Sequence, residues 1–75
     1  MSFMTQGYIV DKFGLRLTME QLAECIGIAV NTIYNQVAKG VFPVKTYRDG
    51  KQRWADYRDV AQYLDDCRAS AATQA

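Results

Sequence analysis

Between Asn31 and Gln36 the chain places three carboxamides, Asn31, Asn35 and Gln36, and the hydroxyl of Thr32, hydrogen-bonding groups without formal charge. A carboxamide offers a donor and an acceptor side by side. That pairing fits the edge of a flat heterocycle such as adenine, and a threonine hydroxyl can reach a base or a phosphate. Further on, KTYRDGKQRW (45–54) interleaves cations and aromatics around Asp49-Gly50. Cations at Lys45, Arg48, Lys51 and Arg53 suit an anionic partner, most simply phosphate oxygens. Acid–base or nucleophilic chemistry has little material. The 75 residues contain no histidine, which removes histidine bases, Ser-His and Cys-His dyads and the commonest zinc motifs. Cys25 and Cys67 form no CxxC pair and read as small residues in or near the core, in a reducing compartment. No glycine-rich phosphate loop is present. The expectation is a protein that is not an enzyme and needs neither cofactor nor metal.

The elements that position these residues are legible from period and punctuation. Thr18-Met19-Glu20-Gln21 has the form of a capping box, and Met19, Leu22, Ala23 and Ile26 then fall on one helical face. Gly27 ends this helix after about two turns. In IAVNTIYNQVAKG, Val30, Ile33 and Val37 share a face, and Gly40 stops the helix with Pro43 shortly after. Helix, glycine turn and helix in series is the helix-turn-helix order, although an ordinary helical hairpin fits these two segments as well. Asn31, Asn35 and Lys39 lie opposite the apolar stripe, with Thr32 at one side and Tyr34 and Gln36 flanking. None is acidic, whereas a merely solvated face more often mixes Glu with Lys.

Asp-Gly is a favoured centre for a two-residue hairpin turn. That turn would set Arg48 opposite Lys51, Tyr47 opposite Gln52, Thr46 opposite Arg53 and Lys45 opposite Trp54. One face would carry Thr46, Arg48, Lys51 and Arg53, free to meet phosphate. The other would carry Tyr47 and Trp54, packed on the helices. From Lys39 to Arg58 there are six basic residues and two acidic ones, a local net of +4, so the remainder carries −3 within the formal total of +1. Such polarisation, rather than net charge, is the footprint expected of a phosphate-binding surface. Asp56 suits a helix N-cap, Asp59 the first turn after it, and Tyr57, Val60, Ala61, Leu64 and Cys67 make an apolar stripe with Asp65 and Asp66 turned away. This last helix is expected to be scaffold. Near the start, Ile9 and Phe13 match helical spacing and Gly14 could cap a helical turn, but a strand fits too.

The segment LTMEQLAECIGIAVNTIYNQVAKGVFPVKTYRDGKQRWADYRDVAQYL resembles the small winged helix-turn-helix modules of the MerR-like excisionase and AlpA-type group. The resemblance runs from Leu17 to about Leu64 and rests on the order of helix, glycine turn, TIY helix, G-x-x-P exit, basic wing and closing helix. It implies an α+β, mainly helical winged helix-turn-helix fold: an N-terminal arm or short helical turn over 1–14, the DNA-binding domain over 15–68 and a flexible tail over 69–75. It implies that Asn31, Thr32, Asn35 and Gln36 read bases in the major groove. Tyr34, Lys39, Lys45, Thr46, Arg48, Lys51 and Arg53 would then meet the backbone. One departure stands out: Ala29 occupies the N-cap of the second helix, where such proteins often carry Ser or Thr.

The resemblance further implies a bacterial cytoplasmic, nucleoid-associated protein of a phage or integrated element. Its partners would be double-stranded DNA, an integrase, and further copies of itself on adjacent sites. No apolar run approaches the roughly 18 residues of a membrane span, and the start lacks the pattern of a signal peptide. The competing expectation is a protein-interaction adaptor anchored by Tyr47, Trp54 and Tyr63.

Overall fold

The computed structural model describes residues 3–74, which form four helices and one three-stranded antiparallel sheet, an α+β architecture. The first element is α1, Phe3–Phe13, three turns in which Ile9 is fully buried. The ambiguity between helix and strand at this end thus resolves to a helix, and a longer one than a single turn. Gly14 closes it by donating its N–H to the Val10 carbonyl at 2.9 Å.

Next comes β1, Arg16–Thr18, an element absent from the sequence expectations. Thr18 ends it and caps α2, Met19–Ile26. Its hydroxyl accepts the Gln21 N–H at 3.1 Å while its own N–H donates to Gln21 Oε1 at 3.0 Å, the reciprocal capping box. Gly27 takes φ +74° at the C-terminal end, and its N–H reaches the Ala23 carbonyl at 2.9 Å. A residue with a Cβ adopts that left-handed conformation only at a cost. After this tight turn, α3 runs from Val30 to Ala38 with Ile33 buried and Val30 and Val37 packed against the core. Ala29 precedes it and provides no side-chain cap.

The strands β2 (Thr46–Asp49) and β3 (Gln52–Asp56) form the hairpin, and the sheet order is β1-β3-β2. Its register differs from the expected one. Thr46 pairs with Ala55, Tyr47 with Trp54, Arg48 with Arg53 and Asp49 with Gln52, so the turn residues are Gly50-Lys51 rather than Asp49-Gly50. Gly50 has φ +67°, and no described non-glycine residue has positive φ. Glycine with positive φ at the first central position is the type II′ pattern, while the type I′ turn expected of Asp-Gly needs positive φ at both. Each β3 residue therefore meets a β2 residue two places from the expected one, and Lys51 leaves the ladder for the turn.

The side of the sheet facing the core is also the reverse of the expectation. Leu17 pairs with Ala55, and both are fully buried. By alternation Thr46, Arg48 and Arg53 share their face, while Tyr47 and Trp54 lie on the opposite one. The hairpin base feeds the core through Ala55, and its outer half extends beyond the core on the same side.

The chain closes with α4, Tyr57–Gln74, which is about 27 Å long at 1.5 Å per residue. Asp56 caps it by accepting the Arg58 N–H at 2.8 Å. Val60 and Ala61 are buried and Leu64 packs against them, but Cys67 is exposed, so the apolar stripe ends a turn early. Asp65 is not turned away as expected: it accepts a hydrogen bond from the Thr5 hydroxyl at 3.2 Å and fastens α1 to α4. The helix also continues over 69–74, the stretch expected as a flexible tail. The core joins all four helices to the sheet through Ile9, Leu17, Met19, Leu22, Ile33 and Val60, each fully buried.

Candidate nucleic-acid interface

Burial of Ile33 fixes how α3 is rolled, and the roll decides what it presents. Asn31, Thr32, Tyr34, Asn35 and Lys39 are exposed, while Gln36 is half-buried beside Val37. Five of the six polar or aromatic positions singled out from sequence, on α3 and at its C-cap Lys39, are thus open to a partner, and Gln36 is the least available. The helix is firmly ended: Gly40 and Val41 donate to the carbonyls of Val37 and Gln36, both at 3.0 Å.

The hairpin reaches this helix from the side. Tyr34 of α3 and Arg48, Lys51 and Arg53 of the hairpin line one cleft of about 260 Å³. An adjoining cleft of about 290 Å³ follows the seam between the end of α3 and β2, with Lys45, Thr46 and Arg53 among its walls. Arg53 is half-buried, and its Nη1 donates to the Thr46 hydroxyl at 2.9 Å. Thr46 is therefore engaged inside the protein and orients Arg53. Arg48, Lys51 and Lys45 are exposed, and among the described residues none of the three enters an ion pair. So the structure gathers Tyr34 of α3 with Arg48, Lys51 and Arg53 of the hairpin into one concave surface.

Both acidic residues of this region are matched by arginines. Asp49 Oδ2 lies 2.7 Å from Arg16 Nη1, and Asp56 Oδ1 lies 3.0 Å from Arg58 Nε. Hydrogen bonds from Arg58 hold the Asp56 carboxyl below the ordinary aspartate range, against a smaller opposing effect of burial. The Asp49 contact, followed by the Tyr47 side chain, raises Arg16 above the ordinary arginine range. Pairing leaves the unpaired charge of the hairpin positive.

Arg16 is the one residue here that sequence reasoning missed. It sits on the outer face of the sheet, with its guanidinium carbon 3.9 Å from the centroid of the Trp54 ring. Its signal was faint: Leu15-Arg16-Leu17-Thr18 alternates with period two, but three strand residues are too few for alternation to decide. Trp54 is partly buried beneath it, and its Nε1 is buried without an acceptor. Trp54 therefore works as a stacking surface within the protein.

Away from this face the chemistry changes. A cleft of about 370 Å³ follows α4 and is lined by Asp59, Asp66, Tyr63 and Cys67 together with Pro43 and Lys45. A hydrogen bond with Cys67 raises the Tyr63 hydroxyl above its ordinary range, and burial raises the Cys25 thiol. No group of His, Cys, Asp or Glu among the described residues has the arrangement to hold a metal ion. No helix among them is long and apolar enough to cross a membrane.

Comparison with protein-family models, with curated proteins and with solved structures finds no match to this chain.

Proposed function

We propose that the chain is a double-stranded DNA-binding module of the winged helix-turn-helix type, with α2 and α3 as the helix pair and the β2–β3 hairpin as the wing. In this reading α3 enters the major groove, where Asn31, Thr32 and Asn35 meet base edges. Arg48, Lys51 and Arg53, with Lys39 and Lys45, lie along phosphates. The observation that carries the reading is the shared cleft. There the hairpin cations Arg48, Lys51 and Arg53 meet Tyr34 of α3, the helix that also exposes Asn31, Thr32 and Asn35. A groove floor needs the first kind of group and its phosphate walls the second.

The role that best suits a small DNA-binding module of this pattern is an excisionase (a recombination directionality factor), a transcriptional regulator, or both, in a phage or integrated element. It would bind repeated sites side by side and shape the DNA for an integrase. The excision role rests on the resemblance in sequence, whereas the residue types and their placement support the DNA-contact reading. The adaptor reading loses one of its anchors, because Trp54 is stacked under Arg16 instead of standing free.

Amide chemical-shift mapping with a duplex selected from random sequence tests the proposal. Perturbations should concentrate at 31–36 and 45–53, with Asp59, Gln62 and Asp66 on α4 unmoved. Perturbations centred on α4 or on Tyr47 and Tyr63 would instead favour the adaptor.

A further inference from the structure

We propose that Arg16 is a positioning residue for the DNA-contacting hairpin, a strap across the outer face of the sheet that holds the wing at the angle where its cations meet α3. The proposal rests on the DNA-binding reading. Arg16 belongs to β1, where it pairs with Asp56 of β3. Its guanidinium lies over Trp54 of β3 at 3.9 Å and reaches Asp49, the last residue of β2, at 2.7 Å. One side chain thus spans all three strands and grips the hairpin next to its turn. A two-stranded hairpin is marginally stable by itself. Buried apolar residues support only the base of this one, through Ala55, whereas Tyr47, Arg48, Asp49, Gly50, Lys51 and Gln52 are all exposed. From outside the hairpin, Arg16 supplies an ion pair that reaches Asp49, next to the turn.

The strap has a second effect. Asp49 stands beside Arg48, and an unpaired carboxylate there would repel the phosphate that Arg48 and Lys51 attract. Arg16 neutralises it from the face opposite Tyr34, so Arg16 shapes the contact surface without lying on it. A residue acting through others in this way should influence affinity without contributing a phosphate contact.

The experiment measures hairpin opening and DNA binding in the same variants of the full chain. Amide hydrogen exchange is followed in the native protein, Arg16→Gln, Arg16→Lys and Asp49→Asn. Affinity for the selected duplex is measured over a salt series. In Arg16→Gln, exchange over 46–53 should rise about five- to thirtyfold, as expected for losing a stack and an exposed ion pair, with α1, α2 and α4 unchanged. Duplex affinity should fall with the slope against salt unaltered. Arg16→Lys should fall between, since it keeps the charge and loses the flat stack. Asp49→Asn should raise hairpin exchange less than Arg16→Gln, because the Trp54 stack remains. Native-like hairpin exchange in Arg16→Gln overturns the proposal. So does a salt slope shallower by about one unit, which would make Arg16 a phosphate ligand. A native chain without affinity for duplex DNA overturns the DNA reading instead, and hairpin exchange then decides the strap alone.

Discussion

Asn31 and Asn35 stand exposed on α3 because Ile33, between them, is buried and fixes the roll of the helix. If they read bases, Asn31→Ala or Asn35→Ala should cost about 1–3 kcal/mol on the selected site and little on random duplex. Equal losses on both would make them backbone contacts. Ala29 offers an independent test of the local structure. It sits at an N-cap with φ −59° and ψ 140° and makes no side-chain bond. Ala29→Ser should gain about 0.5–2 kcal/mol of folding stability in urea unfolding, because the hydroxyl can accept an otherwise unpaired N–H of the first turn. Asp56 gives the pH dependence. Its folded pKa is lowered by Arg58, so its contribution is present above the unfolded value near 3.9 and is lost as pH falls through the folded value. Asp56→Asn keeps a capping oxygen and removes the charge. The stability advantage of the native chain over this variant should therefore shrink below about pH 4, and thermal unfolding from pH 7 to pH 2 would show it.

At the scale of elements, the wing and the reading helix should fail differently. Arg48→Ala with Lys51→Ala should weaken binding to all duplex sequences about equally and flatten the salt slope by roughly one to two units. Altered sequence preference with an intact slope would contradict the wing assignment. The legibility of these elements follows from how local their causes are. The capping box at Thr18, the glycine turn at Gly27 and the stripe of Val30, Ile33 and Val37 act within a few residues, and all three are present as read. The hairpin was legible as a hairpin, because two strands around a glycine are also a local matter. Its register was not, since Asp49-Gly50 and Gly50-Lys51 are both acceptable turns and the choice accompanies contacts from β1. The reversed sheet face has the same origin. Alternation around the turn puts Tyr47 and Trp54 on one face, expected to pack on the helices, yet Leu17 pairing with Ala55 takes the core side and leaves Trp54 to Arg16. Pairing across 38 residues of sequence between Leu17 and Ala55 leaves no short-range pattern to find.

At the scale of the whole molecule, α1 presents Phe3, Met4 and Tyr8 largely to solvent while Ile9 ties it to the core. One recognition helix and one wing cover few base pairs, and single modules typically bury about 600–1,000 Å². Specificity in the proposed function then comes from several copies on adjacent sites. The α1 residues Phe3 and Met4 are available for contact between neighbours. Changing both to Ser should reduce cooperativity over repeated sites more than affinity for one site, since neither lies in the core. Footprinting over one and several repeats, with ultracentrifugation of the free chain, reads this directly. A tight dimer without DNA, or the same affinity for one site as for many, would contradict the array.

The central claim is that the α3–hairpin surface holds double-stranded DNA through its cations. The most direct test is the affinity of the native chain for duplex DNA from 50 to 300 mM salt. Four to five phosphate contacts predict a slope of log affinity against log salt of about −3.5 to −4.5, and steeper loss than in the Arg48→Ala, Lys51→Ala variant. A slope near zero, or no duplex affinity at 50 mM, would contradict the account.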